Sequence, residues 1–102
     1  MTDRELLEFA AKAAGVELEW QAAGWAHCLD TGCEWNPLTD DGDALRLTVK
    51  LGLAVSVEYQ VGSTSVLWGP PTGHVREDHG TDPYAATRRA IVRAAAEIGG
   101  NT

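Results

Sequence analysis

Asp30-Thr31-Gly32 is the segment whose residues most directly suggest catalysis, because Asp-Thr-Gly is the signature of the aspartic proteases. Retroviral-type proteases are dimers of chains about this long, and Ile98-Gly99-Gly100-Asn101 is similar to their second motif. Their chemistry needs two aspartates, one from each subunit, that share a proton. Their fold is nearly all β, however, whereas about forty residues of this chain lie in predicted capped helices. We therefore predict a hairpin turn at the first segment and a helix end at the second.

Two cysteines and two histidines have spacings that are similar to the halves of a zinc site. Cys28 and Cys33 form Cys-x4-Cys, and His74 and His79 form His-x4-His. About 40 residues separate the two halves, which is more than the usual finger spacing. We therefore predict free cysteines that pack as small hydrophobes, with no metal and no other cofactor. The metal site stays open as an alternative, with His27 as a further candidate ligand, and a reducing cytosol disfavours a disulfide across the turn.

No other pattern of residues indicates catalysis. The run Asp40-Asp41-Gly42-Asp43 lacks the alternating aspartates and the distal glutamate of an EF-hand loop. Acidic residues are favoured at a helix start, so we predict a helix there instead of a cation site. Gly-x-Gly-x-x-Gly, Gly-x-Ser-x-Gly and His-Glu-x-x-His are all absent from the sequence. The sequence therefore predicts no catalytic residue and a protein that is not an enzyme.

The candidate partner-binding residues are three arginines of the last predicted helix, Arg88, Arg89 and Arg93. Residues 83–102 carry three basic and one acidic side chain, whereas residues 1–82 carry five basic and fourteen acidic ones. An acidic partner or a second subunit could place carboxylates against these arginines, whose planar groups bind carboxylates bidentately. The competing interpretation is a solvated charged face that is attracted to the acidic remainder of the same chain.

Hydrophobic periodicity and turn residues predict the elements that position these side chains. Helices are predicted over 2–14, 40–51 and 83–98, and strands over 16–20, 25–29, 33–35, 53–61, 65–68 and 74–77. The order α-β-β-α-β-β-(β)-α predicts an α+β protein, an α/β sandwich of an antiparallel sheet with three amphipathic helices.

Several side chains are expected to be buried. On the last helix, Tyr84, Ile91, Ala95 and Ile98 should face the sheet. On the second helix, Leu45 and Val49 share a face with Ala44 and Thr48 and should pack inward. Alternate residues of the strand over 53–61 form one apolar face. Most of the four tryptophans should lie in the core, because burying an aromatic ring contributes heavily to a small core; they are Trp20, Trp25, Trp35 and Trp68.

Size and charge exclude several classes of protein. A chain of 102 residues predicts a single domain over 1–102. A net charge of −7 argues against general nucleic-acid binding, which needs basic surface. No stretch approaches the roughly 20 apolar residues of a membrane span, and the first residues lack the features of a signal peptide. We therefore expect a cytoplasmic protein.

Two blocks and the opening helix resemble a known family. The blocks are residues 35–44 (WNPLTDDGDA) and 82–95 (DPYAATRRAIVRAA), and the opening helix covers 5–15. Together they resemble small phage and prophage proteins of the phage ABA sandwich domain family. The resemblance implies a sheet between helical layers, in an accessory protein that a phage encodes and a bacterium expresses. The family carries no established activity, so no catalytic residue is transferred.

Three functions remain as hypotheses. The first is a non-enzymatic phage or prophage accessory protein that binds a host or phage protein, with a homo-oligomer left open. The second is an inhibitor of a host defence protein, similar in role to an anti-CRISPR protein, whose acidic surface imitates nucleic acid. The third is a small hydrolase or metal-dependent enzyme, which would need a concave pocket with convergent polar groups.

Overall fold

The computed structural model describes residues 1–100, so Asn101 of the protease-like second motif lies outside the described residues. The α+β class is confirmed, with three helices and antiparallel strands in roughly the expected order. The strands divide into a two-stranded sheet, β1-β2, and a three-stranded sheet in the order β3-β4-β5. The elements are α1 (Asp3–Ala14), β1 (Leu18–Trp20), β2 (Ala26–Cys28), α2 (Asp41–Leu51), β3 (Ala54–Glu58), β4 (Ser63–Trp68), β5 (Gly73–Asp78) and α3 (Pro83–Gly100).

The predicted helix starts are confirmed by their hydrogen bonds. At α1 the Thr2 hydroxyl accepts from the Glu5 amide at 3.2 Å, and the Glu5 carboxylate accepts from the Thr2 amide at 3.1 Å. At α2 the Asp40 carboxylate accepts from the amide of the third helical residue at 2.8 Å. Asp82 accepts from the first free amides of α3 in the same way. Each cap therefore satisfies backbone groups that a helix cannot pair internally.

α3 is the central element of the fold. It packs against α1 and α2 and covers β4 and β5. Its inner side is made largely of alanine, which lets the neighbouring elements approach closely; the buried residues are Ala90, Ile91, Val92, Ala94, Ala95, Ala96 and Gly99.

The predicted helix end at Gly99 and Gly100 is wrong, because α3 continues through both residues. Gly99 lies against the backbone of α1, and a Cβ at this position would clash with the carbonyl oxygen of Phe9. Gly99 is therefore needed because the two helices approach closely here. From the sequence alone, a glycine in such a contact looks the same as a glycine that ends a helix.

Parts of two expected apolar faces point to solvent instead of the core. On α3, Ile91 and Ala95 are buried as expected, whereas Tyr84 in the first turn is 72% exposed. Thr87, one turn later, is in contact with the sheet through a 2.8 Å hydrogen bond to Thr64. On α2, Leu45 and Val49 are 63% and 73% exposed. This helix packs against α3 and α1 through the side that carries Ala44 and Leu47, so Ala44 is the buried member of the predicted face.

The strands also depart from the expected limits. β3 is shorter than predicted, and its apolar face is exposed at Val57 because α3 covers only the other two strands. The return strand predicted over 33–35 is reduced to an isolated bridge between His27 and Glu34. The short strand predicted over 74–77 is present as β5. Three tryptophans pack against the core as expected, whereas Trp25 is 41% exposed.

Candidate functional site

Arg88 and Arg89 each pair with a carboxylate of another helix. Arg88 donates to Asp41 of α2 at 2.6 Å and to the Leu38 carbonyl at 2.9 Å, and its side chain is only 17% exposed. Arg89 donates to Asp3 of α1 at 3.0 Å. The two residues therefore tie α3 to α2 and to α1.

Arg93 forms the third connection. It pairs with the Glu77 carboxylate of β5 and donates to the Arg76 carbonyl at 3.0 Å. The three arginines thus connect α3 to α2, α1 and β5 through specific ion pairs. Docking of an acidic partner on Arg88, Arg89 and Arg93 stays a prediction.

The cysteines and the paired histidines lie in different sheets. Cys28 is buried, Cys33 is exposed and both are free; the Cys28 amide donates to the Cys33 carbonyl at 2.9 Å across the hairpin. His74 lies on β5. His79 is buried, and its Nε2 lies 2.9 Å from the Thr64 hydroxyl. In residues 1–100, no three His, Cys, Asp or Glu side chains come close enough to hold a metal ion.

The Asp-Thr-Gly segment forms the tip of the hairpin that follows β2. The Gly32 amide donates to the Cys28 carbonyl at 2.8 Å, and the Thr31 hydroxyl accepts from the Cys33 amide at 3.2 Å. Asp30 is exposed at this tip. The segment is the hairpin turn that was predicted, and the residues Ile98, Gly99 and Gly100 lie within α3.

A groove of about 1000 Å³ lies between the C-terminal end of α1, this hairpin and α2. No sequence motif indicated it. The charged, thiol and indole side chains that line it are Cys28, Asp30, Cys33, Glu34, Trp35, Asp40, Asp43, Arg46 and Lys50.

One wall of the groove is built around the buried carboxylate of Asp43. This group accepts from the Asn36 amide at 2.9 Å and from Arg46 at 2.7 Å. The hydrogen bond that Arg46 donates to Asp43 raises the pKa of the Arg46 guanidinium. Arg46 also lies 3.8 Å from the Asp40 carboxylate, so it is the counter-ion of both Asp40 and Asp43.

The opposite wall carries carboxylates that have no such counter-ion. Asp30 and Glu34 are exposed on the hairpin, and neither takes part in any ion pair within the described part of the chain. Trp35 follows Glu34 and is half-buried, packed against the core on one side and lining the groove on the other. A cation that enters the groove therefore meets free carboxylates beside an aromatic ring.

The charge of the molecule is concentrated around this groove. Residues 13–45 contain seven acidic and no basic residues, so they account for the entire net charge of −7. The remaining residues hold eight acidic and eight basic side chains. Sequence reasoning missed this because it divided the chain at residue 82; a count over a shorter window finds it.

Comparison with known proteins shows no relative: no protein-family model, no curated protein and no solved structure matches the chain. Among residues 1–100, no helix combines the length and the apolar character needed to cross a membrane.

Proposed function

We propose that this chain is a non-enzymatic binding protein whose acidic groove takes up a basic segment of another protein. The observation that carries the proposal is the pair of uncompensated carboxylates, Asp30 and Glu34, beside Trp35 in the groove of about 1000 Å³. The resemblance to phage ABA sandwich proteins supports the wider setting: an accessory phage or prophage protein in the bacterial cytoplasm that binds a host or phage protein.

The groove suits arginine and lysine side chains for two reasons. Carboxylates form short, charge-assisted hydrogen bonds with guanidinium and ammonium groups. The face of an indole ring attracts the same cations, and more strongly where water is partly excluded. The seven negative charges of residues 13–45 would also attract a basic partner before contact, which raises the association rate at low salt.

The groove lacks the features of an enzyme active site. Its two thiols have no histidine neighbour among the lining residues, and the Cys33 thiol is directed to the Thr31 carbonyl at 3.8 Å. Asp43 is occupied by Arg46 and by a backbone amide. An activated nucleophile needs an adjacent base that is itself oriented, so binding accounts for these groups better than hydrolysis does.

Imitation of nucleic acid is the second candidate, and the acidic segment is the observation that favours it. Three of its seven carboxylates are paired with an arginine: Asp40 and Asp43 with Arg46, and Asp41 with Arg88. A fourth, Glu19, lies 3.4 Å from the His27 ring, which compensates its charge only when protonated. The three others are Glu17, Asp30 and Glu34. So few unpaired carboxylates suit a short basic segment better than the long binding channel of a nucleic-acid-binding protein.

Titration with a twelve-residue peptide of alternating arginine and leucine tests the proposal, with tryptophan fluorescence as the readout. We expect binding that weakens as salt increases, and a loss of at least about tenfold in affinity in the double variant Asp30→Lys, Glu34→Lys. The matched control is Asp78→Lys, Glu97→Lys, which makes the same charge change at exposed sites outside the groove. A Trp35→Phe variant identifies the responding indole.

The control decides what a loss of binding means. An equal loss in both double variants would show that only the net charge attracts the peptide, and the groove proposal would fail. Tighter binding of the wild-type protein to a long basic domain than to the peptide, together with competition by duplex DNA, would favour the nucleic-acid mimic instead.

A further inference from the structure

β3 is an open edge of the three-stranded sheet. Within residues 1–100 it is hydrogen-bonded to β4 alone, and four of its five residues are exposed. The opposite edge, β5, carries three charged side chains, Arg76, Glu77 and Asp78, which discourage pairing with another strand. β3 has the sequence Ala-Val-Ser-Val-Glu, with no lysine, no proline and no inward-facing charge. Its only charge, Glu58, lies at the end of the strand, so β3 is less protected against pairing than β5.

The same edge carries exposed apolar side chains. Val57 lies opposite the buried Thr64 of β4, so its side chain is on the face of the sheet that packs against α3. Because α3 covers this face only over β4 and β5, Val57 is 53% exposed. Tyr59 is 81% exposed with its ring 6.5 Å from the ring of His79, and Val61 is 60% exposed. These side chains give the edge an apolar surface that is open to solvent.

We propose that the chain forms a homodimer in which β3 pairs antiparallel with β3 of a second copy, with the two-fold axis at Ser56. This register places Val55 opposite Val57 of the second copy, and Ala54 opposite Glu58 of the second copy. It joins the two sheets into one continuous sheet of six strands. The pairing is isologous, so one contact closes both open edges and adds no further copies.

Two properties of the strand favour a second copy over an unrelated peptide. Directly opposite like charges destabilise a strand pair, and this register brings no two carboxylates together because each Glu58 meets an alanine. On the inward face it pairs valine with valine, which is favourable packing across strands. The net charge of −7 does not oppose this contact, because residues 46–102 hold six basic and five acidic side chains.

Sedimentation equilibrium of the full chain at about 100 μM is the first test. The expected mass is twice 10.9 kDa. The variant Val57→Lys should reduce the mass to one chain with an unchanged far-UV spectrum, because a charge on the inward face of the edge blocks pairing. The matched control is Val49→Lys, the same change at a residue of α2 that is 73% exposed, and it should stay dimeric. A wild-type monomer, or a Val57→Lys dimer, would overturn the proposal.

Cross-linking tests the register. In a Cys28→Ala, Cys33→Ala background, Ser56→Cys should form a disulfide-linked dimer on mild oxidation, because it lies opposite its own copy on the two-fold axis. Ala54→Cys lies on the same exposed face but opposite position 58, so it should link much more slowly. Equal rates at the two positions would rule out this register. If the protein is a monomer, and an added extended peptide protects the β3 amides from hydrogen exchange, then the edge binds a different partner.

Discussion

At the scale of single residues, the polar side chains of α3 hold the fold together through specific contacts. Thr87 and His79 meet at the Thr64 hydroxyl, at 2.8 and 2.9 Å, so that three buried or half-buried polar groups satisfy one another. Two arginines, Arg88 and Arg93, donate to backbone carbonyls as well as to carboxylates. A substitution at α3 therefore affects the fold before it affects any partner.

Replacing Arg88 by alanine should destabilise the protein more than replacing Arg89. Arg88 is the least exposed of the α3 arginines and loses two hydrogen bonds, so we expect a loss of about 1–2 kcal/mol. Arg89→Ala removes one exposed ion pair, which is worth about 0.5 kcal/mol or less. Urea unfolding at pH 7 measures both. An equal loss in the two variants would contradict the role given to the Leu38 carbonyl.

The capping box of α1 should make stability depend on pH. Hydrogen bonds from the Thr2 amide and then from its hydroxyl lower the pKa of Glu5 below its ordinary value of 4.5. A carboxyl whose pKa is lower in the folded state contributes stability above its unfolded pKa and loses it as the pH falls through the folded value. The difference in Tm between wild type and Glu5→Gln should therefore be larger at pH 7 than at pH 3. Glu58→Gln, at an exposed carboxylate outside the helix caps and outside residues 13–45, should show no such change.

At the scale of elements, what could be predicted from the sequence depended on the range of the interaction. The predicted helices begin at residues 2, 40 and 83, within one residue of α1, α2 and α3, because helix caps involve contacts only two or three residues apart. The buried side of α2 was not predicted, because apolar residues occur nearly all around this helix and only its packing against α3 selects Leu47 over Val49. The role of Gly99 was missed for the same reason: its neighbour, Phe9, is ninety residues away in the chain.

Alanine substitutions at the two glycines that end α3 should therefore have opposite effects. Gly99→Ala should cost about 1–3 kcal/mol or more, because the added methyl group meets the backbone of α1 and the helices must separate. At Gly100 the nearest atom to a new Cβ is 4.0 Å away, so alanine should be neutral or stabilise by up to about 1 kcal/mol through helix propensity. Urea unfolding compares them. A neutral Gly99→Ala would show that the contact between α1 and α3 is looser than described.

At the scale of the whole molecule, the α+β class and element order followed from the sequence, whereas the groove did not. Its walls come from residues between Ala14 and Lys50 that meet only when the hairpin packs beside α2. The bridge between His27 and Glu34 is too short to be recognised as a strand pair, yet it fixes the hairpin that carries Asp30. Charge was the one property of the groove already visible in the sequence, because it depends on composition and not on packing.

The concentration of charge in residues 13–45 should lower the stability of the folded protein. These carboxylates outnumber the arginines that pair with them, so folding brings uncompensated like charges together. Such a cost is retained where binding needs it. The double variant Asp30→Asn, Glu34→Gln should therefore be more stable than wild type by about 0.5–1 kcal/mol at low salt. The gain should fall to less than half in 0.5 M NaCl, where the screening length is only about 4 Å.

The matched variant Asp78→Asn, Glu97→Gln removes the same charge from the electrically balanced part of the chain and should give no gain. Urea unfolding at 20 mM and 0.5 M NaCl measures both variants. Equal gains would mean that repulsion is spread over the whole surface. A loss of stability in the groove variant would mean that Asp30 and Glu34 stabilise the hairpin. If only the groove variant gains stability, then Asp30 and Glu34 lower the free energy of unfolding of the wild-type protein. These are the same two carboxylates that most favour a basic partner.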